Sequence, residues 1–480
     1  MPVPPTPNDS RRAAAPVVVV GAGPAGLLAA AFLSLAHGCD VAVFDKRGHP
    51  GPLPMPDGFE DDNDSRGVAA ISAAGLDVEA LVNAPGANLA TIRDQVLARG
   101  DALPTADGRR GSLLTVRAER PRVIGSRQAF VRALLHLVEE QQEAARVAGT
   151  PCGTITFHWG ASFASADLAA QAATFKLDNG EEHTEKYSLL PNRQYNVVRG
   201  LPPMPHLDLM PTPGALPGSS EAYGRLLMVA EAPAAVAAAG GGPQGNIFLS
   251  QPSAEAVTAV VTLPHARWAA AGLDGDGAPA EAYAKMLAAS WPTLPAEWTA
   301  AAAQQMAERP LHETGMQVHA NQLHAPGVVL LGDAAHAVSP ATSNGMNGAL
   351  EDALVLSEAL RAVGGDLEAL PAAYTAARKP DADALLWLDG ALSSVAGRGG
   401  PDTAAIKAAV TARVILNKLS AGWVRPPALL LLKDGTLPYG VARRQVERET
   451  AVAKAMGAGG LAAAGAGLAA LLAAPVRRWL

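Results

Sequence analysis

Val17-Val18-Val19-Val20-Gly21-Ala22-Gly23-Pro24-Ala25-Gly26-Leu27 decides the fold. Four consecutive β-branched residues suit a strand covered on both faces, as in a parallel sheet. Each of the three glycines then removes a side chain that would obstruct something. Gly21 permits a tight turn, Gly23 lets the backbone approach a pyrophosphate, and Gly26 lets the following helix pack close to the strand. Phosphate would sit on the free N–H groups at the helix N-terminus. The helix reads on through Leu27, Leu28, Ala31, Phe32 and Leu35, and a second strand, Val41-Ala42-Val43-Phe44, ends on Asp45. That carboxylate lies nineteen residues past Gly26, close to the ~20 expected of the acid that accepts a ribose hydroxyl. With 48 glycines in the chain a bare G-x-G-x-x-G arises by chance; the strand before it, the helix after it and the acid beyond make it a dinucleotide site.

A second glycine-acid block runs Gly327-Val328-Val329-Leu330-Leu331-Gly332-Asp333-Ala334-Ala335-His336, then a Pro340-containing loop, then Gly345-Met346-Asn347-Gly348-Ala349-Leu350-Glu351-Asp352-Ala353. It reads as a buried strand ending at Gly-Asp and a helix starting near Gly345, with Ala349, Leu350, Ala353, Leu354, Ala359 and Leu360 on one face and Glu351 and Asp352 on the outer face. A carboxylate at a strand end beside the first turn can hold a polyol. Backbone N–H groups at the later helix start form a place for developing negative charge.

The bulk properties narrow the classes. At 480 residues with 49% hydrophobic content the chain has room for two or three domains and a sizeable core. Its net charge of −7 is spread out, which gives no nucleic-acid footprint. Two cysteines, Cys39 and Cys152, make no disulfide framework, so a reducing, cytoplasmic setting is the simplest reading. Residues 1–15 are Pro-rich and lack the apolar run of a secretory signal; they read as a disordered tail. Residues 455–475 form an uncharged Ala/Gly/Leu stretch closed by Arg477 and Arg478. It is long enough to span a bilayer but weakly hydrophobic, so a membrane anchor and a surface helix of small residues are equal readings.

Between the two blocks, residues 48–64 are Pro/Gly-rich and end in the acids Glu60, Asp61, Asp62 and Asp64, the pattern of a solvated insertion. Ser65-Arg66-Gly67 opens a helix. Ser126 resembles an N-cap for a long helix through Phe130, Val131, Leu134, Leu135 and Val138. Arg127, in that helix's first turn, either has an anionic partner or points to solvent. Strand patterns occupy 154–190, then 225–230, 246–249 and 256–263, beyond a proline-punctuated linker at 202–217. His312, His319 and His324 match no common zinc spacing and read as loop residues. His336 reads as a structural hydrogen-bonding residue, and Trp291, Trp298 and Trp387 as core or interdomain residues.

Together these residues resemble the single-domain FAD-dependent hydroxylases, the flavoprotein aromatic monooxygenases. The Gly-rich turn at 21–26, Asp45-x-Arg47, Ser126-Arg127 and the block from Gly332-Asp333 to Gly345-Met346-Asn347 occur in that family's order. Within it, Ser65-Arg66-Gly67, Tyr374 to Ala384 and Asp434-Gly435-Thr436-Leu437-Pro438-Tyr439 are most similar to kynurenine 3-monooxygenases. The resemblance implies an α/β fold. A Rossmann-like, three-layer ββα FAD-binding domain (16–200 and 310–365) would be interleaved with a mixed-sheet substrate domain (201–309 with parts of 66–123). A C-terminal helical region (366–454) and the tail 455–480 would follow.

It also implies that Gly21, Gly23 and Gly26 hold the pyrophosphate, Asp45 the adenosine ribose, Arg47 the adenine end and Arg127 the phosphates. Gly332 and Asp333 would hold the ribityl chain, with Pro340 beside the isoalloxazine and Gly345, Met346 and Asn347 offering N–H groups to its N1–C2=O edge. NADPH or NADH would reduce the flavin, and O₂ would add at C4a to give a hydroperoxide that hydroxylates a small aromatic, carboxylated substrate, near Arg93, Gln95 and Asn347. No side-chain nucleophile is required.

Two departures bear on function. Where the family carries Gly-x-Asp-Gly, this chain reads Leu189-Leu190-Pro191-Asn192, which leaves open an FAD-dependent reductase or dehydrogenase, or a flavin-binding protein without turnover. The arginine and tyrosine that hold substrate in the kynurenine enzymes correspond here to Gln95 and Thr105, with Arg93 close by.

Overall fold

The computed structural model describes residues 16–50, 60–63, 65–84, 89–99, 113–167, 172–177, 193–202, 204, 207, 224–238, 245–253, 256–273, 278–308, 312–313, 318–338, 344–393, 402–420, 423–432 and 437–459. Its strands run, in chain order, β1 (Val17–Val20), β2 (Val41–Asp45), β3 (Glu60–Asn63), β4 (Ala90–Arg99), β5 (Leu113–Ser126), β6 (Ile155–Trp159), β7 (Ala161–Asp167), β8 (Ala172–Leu177), β9 (Arg193–Leu201), β10 (Gly224–Ala230), β11 (Asn246–Ser253), β12 (Ala256–Pro264), β13 (His312–Glu313), β14 (His324–Ala325) and β15 (Val328–Val329).

The opening βαβ unit forms as its sequence requires. β1 pairs parallel with β2, Val17 opposite Val41, and β2 pairs parallel with β6. The helix Pro24–Ala31 buries Leu27, Leu28 and three alanines and widens into a π-helical turn over Phe32–Ala36. Small residues there bring it close to two longer helices, Arg127–Ala148 and Gly345–Ala362, whose Phe130, Leu134, Val138, Leu350, Leu356 and Leu360 share one core with it.

Three expectations need correction. β1 is not covered on both faces: Val18 and Val20 are 44% and 54% exposed, because β2 is its one strand neighbour among the described residues. The stretch at 327–331 does not extend the parallel sheet. Only Val328–Val329 is a strand, and it pairs antiparallel with β14, while Leu330 and Leu331 pack against the core. The acidic run at Glu60 is not an irregular insertion but β3, the edge of a larger sheet, a position where charged residues block further strand pairing.

That larger sheet has eight strands in the order β13-β9-β12-β11-β10-β4-β5-β3, antiparallel except where β10 meets β4. β12 lies inside it and is buried from Val257 to Pro264 on both faces. Beneath it the helices Ala280–Ser290 and Ala296–Ala307 enclose Trp291 and Trp298, both fully buried. Trp291 Nε1 donates to the Val229 carbonyl at 3.1 Å. The helices Leu370–Ser393, Thr403–Leu419 and Tyr439–Gly459 form the C-terminal region. No helix among the described residues is long and apolar enough to cross a membrane; residues 460–480 of the tail lie outside them.

Candidate functional site

The three glycines of the first turn do three different things. Gly21 adopts φ +99°, a left-handed geometry that side chains resist, and its N–H donates to the Phe44 carbonyl. At Gly26 a Cβ would sit 1.9 Å from the Gly21 carbonyl oxygen, so only glycine lets helix and strand approach this closely. At Gly23 a Cβ would meet nothing within 4 Å. Gly23 also caps the helix without a side-chain hydrogen bond. The turn therefore presents an open cradle backed by uncapped helical N–H groups, which suits an anion.

Asp45, at the end of β2, is buried and accepts from the Ala22 N–H at 2.7 Å, the Arg47 N–H at 2.8 Å and Arg47 Nε and Nη2 at 2.9 and 2.8 Å. Burial pushes its pKa up, but these donors outweigh burial and hold the carboxyl below its ordinary value. Four donors saturate the lone pairs of a carboxylate. Among these donors the Arg47 guanidinium is largely exposed.

The second glycine turn meets the first. Gly332, at φ +59°, is packed so that a Cβ on it would lie 3.2 Å from Ala349 Cβ and 3.6 Å from Ala25 Cβ, inside the first turn. Asp333 follows with its side chain exposed, and its Oδ2 lies 3.8 Å from Arg127 Nη2 at the start of the Arg127–Ala148 helix. Asp333 is thus the anionic partner that an arginine in a first turn needs. Gly345 opens its helix against the same carboxylate: a Cβ there would lie 4.0 Å from Asp333 Oδ1. Met346 and Asn347 are buried behind it, and Asn344 leaves the helix N-terminus without a side-chain cap. Residues from positions 25, 127, 332–333 and 345 converge on one cleft.

Behind that cleft sits a buried polar network that the sequence reading placed wrongly. Asp352 does not face solvent. It is fully buried and accepts from the Gly332 N–H at 2.6 Å, His336 Nε2 at 2.8 Å and Arg378 Nε at 2.5 Å. Arg378 also donates to Glu351 at 2.6 Å and to the Gly348 carbonyl at 3.0 Å. Burial favours the neutral Asp352 carboxyl, but Arg378, His336 and the Gly332 N–H more than offset it and the pKa falls. His336 is the structural residue expected. The helical spacing of Ala349, Asp352, Leu356 and Ala359 was the missed signal: it puts the acid on the buried stripe.

Of the other expected residues, Arg93 and Gln95 lie on β4, their side chains outside the described residues. Arg93 has no opposite number on either side: Ile92 and Asp94 pair with Gly224 and Arg225 on β10, and with Arg122 and Arg117 on β5. Such bulges re-aim side chains. Pro340, Thr105 and residues 189–192 lie outside the described residues. His319 pairs with Asp383 at 2.9 Å and His324 with Thr375 at 2.7 Å.

Residues 19–53 match a model of the NAD(P)-binding Rossmann-like domain and residues 234–387 a model of the FAD binding domain. Over these stretches the chain is similar to the FAD-binding aromatic hydroxylases. Kynurenine 3-monooxygenase of Salinispora arenicola is 39% identical over 154 residues, 30% of this chain and 32% of that protein, and the enzyme of Flavobacterium psychrophilum is 43% identical over 61 residues, 13% and 14% of the two chains. The matched stretch therefore spans at most about a third of these relatives. Among solved structures, P. aeruginosa PqsL in complex with 2-aminobenzoylacetate superposes with a TM-score of 0.55 at 18% identity, covering 79% of this chain and 96% of that one. Klebsiella pneumoniae HpxO, complexed with FAD and uric acid, gives 0.53 at 14%, covering 90% and 96%. At these identities the structures establish a shared fold.

Proposed function

We propose that the protein is an FAD-dependent monooxygenase that uses NADPH or NADH and O₂ to hydroxylate a small aromatic substrate bearing a carboxylate. The observation that carries this reading is the contact between the two glycine turns, with Ala25 against Gly332 and Arg127 against Asp333. One extended cofactor would lie across both. The donor set fits FAD: an open anion cradle at Gly23, an acid at the end of β2, and an exposed acid beside an arginine and a second uncapped helix start.

Bound there, FAD would supply the redox chemistry: hydride uptake from the nicotinamide and transfer of one atom of O₂ to the substrate, the other leaving as water. The chain's own groups bind and orient. Gly21, Gly23 and Gly26 shape the pyrophosphate cradle, Arg127 neutralises phosphate charge, and Asp45 takes the adenosine ribose once Arg47 moves outward towards the adenine. Gly332 and Asp333 would take the ribityl hydroxyls. The N–H groups of Gly345, Met346 and Asn347 stabilise negative charge at its pyrimidine edge.

For the substrate, kynurenine and 2-aminobenzoylacetate share a 2-aminobenzoyl group and a carboxylate, so compounds of that type are the first to try. Arg93, singled out by the β4 bulge, is the candidate cation for the carboxylate, with Gln95 and Asn347 as further candidate contacts.

The test is a stopped-flow screen of the FAD-loaded protein with NADPH and NADH against such acids, following flavin reduction, O₂ uptake and hydroxylated product together. Product in proportion to O₂ consumed supports the reading. Nicotinamide oxidation without O₂ uptake makes the protein a reductase or dehydrogenase. Bound flavin that no nicotinamide reduces points to the altered Pro191-Asn192 segment and a binding role. Protein that takes up no flavin overturns the proposal.

A further inference from the structure

The Gly332 peptide sets the direction in which Asp333 leaves its turn, because Gly332 is held at φ +59°. Its N–H is gripped by Asp352, about two turns into the helix that starts at Gly345. Asp352 is in turn held by Arg378, which comes from the Leu370–Ser393 helix of the C-terminal region. The Arg378 guanidinium is fully buried and reaches three acceptors at once: Asp352, Glu351 and the Gly348 carbonyl. The Gly348 backbone lies close to this helix: a Cβ there would be 2.9 Å from Leu385 Cδ2 and 3.8 Å from Arg378 Nη2. Tyr439, at the start of the Tyr439–Gly459 helix, lies with its ring centre 5.9 Å from the Arg378 guanidinium and 4.1 Å from that of Arg66. Arg66 ties the Ser65–Ala73 helix to the carbonyls of Leu432 and Leu437. A continuous chain of polar contacts thus links the C-terminal helices to the residue beside Asp333.

We propose that Asp352 and Arg378 are a positioning pair for the flavin site: they set FAD affinity through the Gly332 peptide without touching the cofactor. This rests on the FAD reading given above. The physical reason is donor-acceptor matching. Asp352→Asn keeps the volume but exchanges one accepting oxygen for an amide that can only donate, so Gly332, His336 and Arg378 compete for a single acceptor. Arg378→Lys keeps the charge but gathers its three donors on one atom, so it does not span the acceptors that Nε, Nη1 and Nη2 reach separately.

The test measures two quantities on each folded variant, Asp352→Asn and Arg378→Lys: amide hydrogen exchange over residues 328–338 in flavin-free protein, and the FAD dissociation constant by fluorescence quenching. Expected are faster exchange in that segment and FAD binding weaker by about tenfold, the equivalent of one charge-assisted hydrogen bond. In the double variant the loss is smaller than the product of the two single losses. Glu231→Gln is the control for mere destabilisation. Glu231 is another fully buried acid paired with an arginine, Arg267, but just past the end of β10 in the eight-stranded sheet; its variant melts earlier and keeps the parental FAD constant.

Unchanged exchange over 328–338, or an FAD constant within twofold of the parent, overturns the pair while leaving the flavin site standing. A parent chain that binds no FAD overturns both. If Asp352→Asn does not fold, the milder Arg378→Lys decides.

Discussion

Two buried aspartates, each paired with an arginine, stand at the two glycine turns, and they are built differently. Asp45 is served by Arg47, two residues along the chain, whose guanidinium is 63% exposed. Asp352 is served by Arg378, twenty-six residues away on another helix, and neither side chain reaches solvent. The exposed partner can leave at smaller cost, since its guanidinium is already in water and the Ala22 and Arg47 backbone N–H groups still hold the carboxylate. The enclosed partner cannot, because a charge left alone in the interior costs several kcal/mol. One acid is therefore available to a ligand and the other is committed to the scaffold. On the proposed FAD reading, the same carboxylate-guanidinium chemistry would serve recognition in one place and rigidity in the other.

The largest effect that would sharpen this contrast is on stability. Asp352→Ala strands Arg378 and is expected to cost about 3–5 kcal/mol, read as a fall in the urea midpoint, whereas Asp45→Ala costs clearly less. Equal losses would break the distinction. Next come the glycines of the first turn. Gly26→Ala forces a methyl onto the Gly21 carbonyl and is expected to destabilise by about 1–3 kcal/mol or more. Gly23→Ala, with open space around it, leaves the melting temperature alone and weakens FAD binding. A Gly23→Ala protein that binds FAD normally would remove the cradle from the site.

Acid provides a third test. The Asp352 pKa is depressed in the folded chain, so its contribution is complete above the unfolded value of about 3.9 and is lost as pH falls through the lower folded value. Urea midpoints between pH 5 and 2.5 should therefore drop more steeply for the parent than for Asp352→Asn. The smallest effect is at the cleft mouth. Arg127 and Asp333 are 50% and 61% exposed and 3.8 Å apart, so Arg127→Gln is expected to change stability by less than about 1 kcal/mol. Its effect should appear in FAD affinity and in the salt dependence of that affinity.

The same contrast explains what could be read without a structure. Gly21, Gly23, Gly26 and Asp45 belong to one local unit in which spacing fixes geometry, so strand, turn, helix and acid were all legible. The strands β10, β11 and β12 and the helix behind Asp333 were legible for the same reason, through period two and period 3.6. Two things were not. The exposure of Val18 and Val20 depends on whether another segment joins β1, which no local pattern states. The burial of Asp352 depends on Arg378 arriving from the next helix. A charged residue on an apolar stripe advertises a missing partner but does not name it. Placing Asp352 outside followed from treating charge as a surface signal when the helical spacing said otherwise.

The bulge on β4 has a consequence of its own. On the β10 side, Ile92 and Asp94 face consecutive residues, Gly224 and Arg225, so Arg93 is a surplus member of that ladder. Excising it would mend this pairing rather than break it and would leave every rung from Asp94 onward opposite its present neighbour. Chain length at this spot is thus an inexpensive variable. A lineage could gain or shed one cation here by a three-nucleotide insertion or deletion, with the hydrogen-bond pattern along β10 restored in the process.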